Sequence, residues 1–247
     1  MLVRVTRQKL CHLTEYRYEV SHPDNTKEFI MSALIQNLWQ PEDFILSGVK
    51  LESCIYQHYP AIRMTMPREA IQNPEKERLT DRDFMAWLPL DFCDGEIELW
   101  LASELVPEAP AYARGFIGVS FRINEQGQFE SIYLRPTNSH ADDQVRRNHS
   151  VQYVAFPDYR FDRLRRESPE QYETYAELEL ARWTHMRITV KGQRAVLYLN
   201  DQDKPAFIVN DLKLGANQRG GVGVWLESGT VAYFRELKIR KEPQVDK

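Results

Sequence analysis

Cysteine is scarce. Cys11, Cys54 and Cys93 stand alone in 247 residues, without a Cys-x-x-Cys spacing, so neither a disulfide framework nor a zinc site is indicated. Cys93, next to Asp94-Gly95, reads as a small buried hydrophobe. Long apolar runs are lacking too, which excludes a membrane-spanning helix. The opening MLVRVTRQKLCHLTEYRYEV has neither the continuous apolar core nor the small-residue cleavage site of a signal peptide. The chain as written is therefore expected in the cytoplasm, or in the periplasm or outside the cell if its true start lies upstream. An excess of positive charge is absent: the net charge is −4 and the pI about 5.9. No broad basic field would draw nucleic acid or anionic lipid, and neither is expected as a partner.

Several chemical signatures are missing as well. Gly220-Gly221-Val222-Gly223 has no strand-to-helix context and is not a phosphate loop. No serine stands in a nucleophile elbow. Asp142-Asp143 and Asp201-Gln202-Asp203 carry oxygen ligands of the calcium type but not EF-hand spacing. No metal and no cofactor is assigned.

What is present is ordinary globular composition, 43% apolar and 28% charged, in a chain long enough to bury a sizeable core. Apolar and polar residues alternate in short runs with turn signals between them, the pattern of strands. Runs at 49–56, 60–66, 82–88, 96–101, 115–123, 128–135, 183–190, 194–199, 205–209, 221–227 and 231–239 qualify. In the last of these, Phe234, Leu237 and Ile239 cannot all face one way under strict alternation, which predicts a bulge. There is no internal repeat or low-complexity linker. The fold class expected is an all-β antiparallel sandwich, a jelly roll, over residues 49–243. Residues 1–48 form an N-terminal extension. Within it, Asn25 as N-cap and Glu28 as its capping-box partner suggest one helix, with Phe29, Ile30, Ala33, Leu34 and Leu38 on its apolar face.

Two places carry candidate chemistry. On the run after Asp94-Gly95, Glu96, Glu98 and Trp100 alternate with Ile97, Leu99 and Leu101. The aliphatic set belongs to the core, and the other set faces outward. Carboxylates accept hydroxyl hydrogen bonds, and an indole stacks on the C–H face of a pyranose ring. Two carboxylates are also the minimum apparatus of glycoside hydrolysis.

The second place is Tyr133 to Arg166, where alternation lapses and every positive charge is arginine. Arginine suits planar, forked recognition of oxyanions. Arg135, Asn138, Asp142, Gln144, Arg146, Arg147, Asn148 and Gln152 are candidate ligand contacts, with Tyr133 and Tyr153 as stacking walls. His149 and Asp143 are candidate acid–base partners for Glu96 or Glu98. The alternative is a long connection fastened by its own Arg–Asp pairs. His140 reads as a surface residue, and His185, alternating with Trp183 and Arg187, as a position on a strand's outer face.

The tail resembles the concanavalin A-like lectin/glucanase superfamily, including laminin-G-like jelly rolls and bacterial 3-keto-disaccharide hydrolase-type domains. The resemblance rests on Trp183-Thr184, Arg187-Ile188-Thr189-Val190, Ala195 to Asn200, Gly221 to Trp225, Ala232 to Ile239 and Phe92-Cys93-Asp94-Gly95-Glu96-Ile97-Glu98. It spans roughly residues 45–240 and leaves the extension unexplained. It implies a sandwich that binds or cleaves carbohydrate on its concave face. The glucanase branch carries Glu-x-Asp-x-Glu on one strand; this chain has Asp94-x-Glu96-x-Glu98, its first acid in a turn. The expectation is one cleft holding Glu96, Glu98 and Trp100 together with the arginine-rich stretch, binding a glycan and, in the catalytic form of this reading, hydrolysing it, with acidic or oxidised sugars favoured. The alternatives are a non-catalytic sugar-binding module or a protein-interaction module of the same fold. Oligomeric state is left open.

Overall fold

The computed structural model describes residues 39–242 in full and, ahead of them, the backbone of three strands. These are β1 (Val3–Leu10), β2 (Leu13–Ser21) and β3 (Lys27–Phe29), an antiparallel sheet in the order β1-β2-β3. The helix expected from Asn25 is corrected at Lys27–Phe29. That segment pairs with Glu19–Ser21, so its backbone groups bond across a ladder rather than along a helix. The other positions of that helix lie outside the described residues.

The sandwich is built from β4 (Ile45–Ser47), β5 (Lys50–Tyr56), β6 (Tyr59–Thr65), β7 (Met85–Phe92), β8 (Gly95–Leu105), β9 (Ile117–Ile123), β10 (Phe129–Leu134), β11 (Val151–Phe156), β12 (Glu173–Thr174), β13 (Thr184–Lys191), β14 (Arg194–Leu199), β15 (Phe207–Val209), β16 (Gly220–Leu226) and β17 (Thr230–Lys241). One seven-stranded antiparallel sheet runs β12-β11-β10-β9-β16-β7-β4; the other runs β15-β14-β13-β8-β17-β6-β5. Chain neighbours such as β8 and β9 lie in different sheets, so the chain crosses repeatedly between layers. This is the jelly-roll sandwich that the alternation predicts.

Packing follows the period of two. Ile97, Leu99 and Leu101 of β8, Ile188 of β13 and Phe234 of β17 are buried on the inner face of the second sheet. Val119 and Phe121 of β9, Ile132 of β10 and Val224 of β16 are buried on the inner face of the first. Each such side chain contributes roughly 1.5–3 kcal/mol on leaving water. The expected bulge is in β17: its register with β8 shifts between Arg235 and Lys238, and Glu236 adopts φ 55°. The one extra residue turns Leu237 inward, so Phe234, Leu237 and Ile239 are all buried. Cys93 departs from expectation. It is half-buried, its thiol facing Asp94 and the carbonyl of Ala216 at the surface.

The stretch without alternation contains strand β11 and three short helices: α1 (Pro136–Ser139), α2 (Gln144–Asn148) and α3 (Phe161–Glu167). The strand is hidden from pattern reading because all but the last of its residues are buried, leaving no polar alternate face.

Candidate functional site

The floor of the site is the outward face of the first sheet. There Tyr133 of β10 lies beside Trp225 of β16, ring centroids 4.5 Å apart. Both pass over Gly118, where an added Cβ would collide with Tyr133. The Tyr133 hydroxyl donates to Asp81 Oδ1 at 2.8 Å and accepts from Arg135 at 2.8 Å. Asp81 also accepts from the backbone N–H of Phe161 at 2.9 Å. Burial pushes the Asp81 carboxyl above its ordinary range, with the Phe161 N–H, Arg135 and Tyr133 partly offsetting it. Arg135 fans out further, to the carbonyl of His149 and to Gln152 Oε1, both at 3.2 Å.

One wall is held by Glu173. Its partner across the ladder is Gln152, which places it on the same side as Tyr133. Arg165 of α3 grips it with two bonds of 2.9 and 2.7 Å. Arg135 stands 3.8 Å away and His149 Nε2 3.2 Å away. The His149 pKa lies below the ordinary imidazole value. Burial is the largest cause and Arg165 and Arg135 add to it; Glu173 and Asp143 oppose it.

The rim carries two arginines of a different kind. Arg146 of α2 donates to Asn138 Oδ1 at 3.0 Å, and Asn138 in turn donates to the carbonyl of His149 at 3.0 Å. Arg114 donates to the carbonyls of Ala111 and Ala113 at 2.7 and 2.8 Å. Neither guanidinium meets a carboxylate among the described residues. Burial, with the nearby charges of Arg146 and Arg135, pulls the Arg114 guanidinium down to about 10. These side chains, with Tyr112, Phe116 and Phe161, line a pocket of about 310 Å³.

The structure thus gathers Tyr133, Arg135, Asn138, Arg146 and His149 around one pocket, and leaves the remaining candidates outside it. Asp143 caps α2 by accepting from Val145 N at 2.9 Å. Gln144 bonds Asn148 at 2.8 Å on the surface, and Asp142 is exposed. Arg147 lies over the Tyr175 ring at 5.6 Å. Gln152 is sealed beneath Arg135, donating to the carbonyls of Tyr153 and Tyr172. Tyr153, one residue on, points into the sandwich and bonds Glu130.

Glu96, Glu98 and Trp100 do face outward, but from the second sheet, so the single cleft expected to join them to the arginine-rich stretch is corrected. They take part in a charge ladder. Glu96 meets Arg187 and Arg240, and Glu98 meets Lys238 at 2.9 Å and His185 at 3.3 Å. Trp100 stacks on His185 at 4.7 Å with Arg235 over it at 4.9 Å. The physical reason is topological. β8 and β10 belong to different layers, and an outward residue on one is separated by the whole core from an outward residue on the other. Sequence reading did not single out Asp81, Arg114 or Glu173, because each sits in a short, unremarkable segment far from 133–166 or just beyond it.

Among the described residues no helix is long and apolar enough to cross a membrane. No protein-family model matches the chain, and no curated protein matches it in sequence. Solved structures resemble it in fold. A Bacillus subtilis protein of unknown function with a galectin-like fold is 11% identical, with a TM-score of 0.49, over 83% of this chain and 92% of that one. The carbohydrate-binding module CBM66 of Bacillus subtilis is 12% identical, with a TM-score of 0.47, over 79% and 97%. A seed lectin of Lotus tetragonolobus is 12% identical, with a TM-score of 0.46, over 81% and 95%.

Proposed function

We propose that the pocket above Tyr133 binds an acidic glycan without cleaving it. The observation that carries this reading is the pair Arg114 and Arg146. Both line the pocket and neither has a carboxylate partner among the described residues. Two guanidiniums kept together without a counter-ion cost energy unless a ligand supplies the negative charge. Arg presents forked donors that fit a carboxylate or a sulfate ester. Asn138 is a bifunctional partner for hydroxyls, and the Phe116 and Phe161 rings offer apolar faces to a sugar's C–H groups.

Binding is favoured over hydrolysis because the pocket's carboxylates are occupied. Asp81 accepts from Tyr133 and Phe161. Glu227 is held by Arg82, Ser228 Oγ and the Ser228 N–H. Glu173, behind His149, is gripped by Arg165. A glycosidase needs one carboxyl aimed at the leaving oxygen and another at the opposite face of the sugar. The test is capture on an array of uronic, sulfated and neutral oligosaccharides, with digestion followed by mass spectrometry. Retention of intact acidic glycans is expected. Equal retention of neutral glycans would overturn the acidic assignment, and shortened products would overturn the non-catalytic one.

A further inference from the structure

Resting on that reading, we propose that His149 is a third, proton-dependent contact of the same anion subsite, so that the pocket binds singly charged anionic sugars more tightly in acid. The ring lines the pocket beside Arg146 and Asn138, with its side chain 16% exposed. Its Nε2 faces Glu173 at 3.2 Å, while Nδ1 bonds to no described residue. A neutral ring with Nε2 toward the carboxylate offers only a lone pair at Nδ1. A protonated ring offers an N–H donor and a full charge at that atom.

The charged groups around the ring come from every element packed on it. They are Glu173 of β12, Arg165 of α3, Arg135 just after β10, Asp143 at the N-cap of α2 and Arg146 in its middle. Burial, reinforced by Arg165 and Arg135 and opposed by Glu173 and Asp143, holds the pKa of the free imidazole below its ordinary value. An anion seated on Arg114 and Arg146 cancels part of that positive field, so proton uptake and anion binding favour each other. The sign follows. Above the liganded pKa both states are deprotonated and affinity is flat. As pH falls through the liganded pKa toward the free pKa, affinity rises. Below the free pKa it levels off.

The test uses the full chain with galactose 6-sulfate, glucuronic acid and glucose as probes, each titrated calorimetrically from neutral to mildly acid pH. The sulfate ester keeps its charge throughout, so a changing affinity reports the protein. About a tenfold gain is expected, which corresponds to roughly one pKa unit of coupling. His149→Gln should abolish the gain, leaving an affinity that does not change with pH. NMR titration of the His149 ring should give a higher pKa with galactose 6-sulfate bound than without it. A sulfate affinity that is real but flat with pH, or a ring pKa unmoved by the ligand, overturns this inference and leaves the acidic-glycan reading standing. No binding of either acidic probe at any pH overturns both.

Discussion

Arg165 of α3 and Glu173 of β12 form a two-pronged ion pair, with N–O distances of 2.9 and 2.7 Å, at the back of the pocket. The Glu173 side chain is only 2% exposed, and Arg135 and His149 approach it as well. Among the described residues it is the carboxylate within 4 Å of all three of these cations. Breaking a buried pair from one side leaves the other charges desolvated and uncompensated. Glu173→Ala is therefore expected to lower unfolding stability by about 3 kcal/mol, read as a shift in the urea midpoint at unchanged slope. An unchanged midpoint would mean that water screens this cluster.

Adjacent arginines separate function from fold. Arg146 lines the pocket, while Arg147 covers Tyr175 on the far side of the short helix. Losing a charged hydrogen-bonding contact costs about 1.5–3 kcal/mol. Arg146→Ala and Arg114→Ala should each weaken binding of an acidic oligosaccharide by about tenfold or more, while Arg147→Ala stays within about twofold. Equal losses at Arg146 and Arg147 would point to an unspecific charge effect.

Glu96 and Glu98 test the correction of the site. They lie on the outward face of the second sheet, paired with basic residues of β13 and β17. Glu96→Gln and Glu98→Gln should leave acidic-glycan affinity unchanged in the same calorimetric assay. These pairs are only partly exposed, the Glu96 and Glu98 side chains at 23% and 16%, so each variant should melt somewhat below the parent, by about 1 kcal/mol. A large loss of sugar binding in either would return the site to that face.

Glu130 makes stability depend on pH. Burial is the main cause that raises its pKa from the ordinary 4.5 to about 7; the Tyr153 hydroxyl, the Leu214 N–H and the charges of Arg122 and Lys213 counter it. Below the unfolded value both states hold the proton. Between that value and the folded one, the unfolded chain releases its proton while the folded chain keeps it. Stability is thus full in acid and falls as pH rises through about 7. The loss is of the order of 3 kcal/mol from this group. Chemical unfolding across that pH range should record the fall, and Glu130→Gln should flatten it. A variant with the parent's slope would exclude Glu130 as the cause.

The sequence by itself determined the sandwich, most of its strand positions (though not β4, β11 or β12) and the bulge near Phe234. These depend on the period-two placement of apolar side chains, a local property written residue by residue. It also marked Tyr133 to Arg166 as unlike its surroundings, and from that stretch the pocket draws Tyr133, Arg135, Asn138, Arg146 and His149. Only the tertiary structure decided which arginines are neutralised and which are not. Arg165 is spent on Glu173, and Arg135 is braced by Gln152 and Tyr133. Arg146 and Arg114 come from distant segments to line one pocket, with no carboxylate partner among the described residues. It also decided that Glu98 and His149 belong to opposite layers. Charge pairing and layer assignment depend on strand order and crossovers between sheets, which bring distant segments together or keep them apart, and no local period records that order.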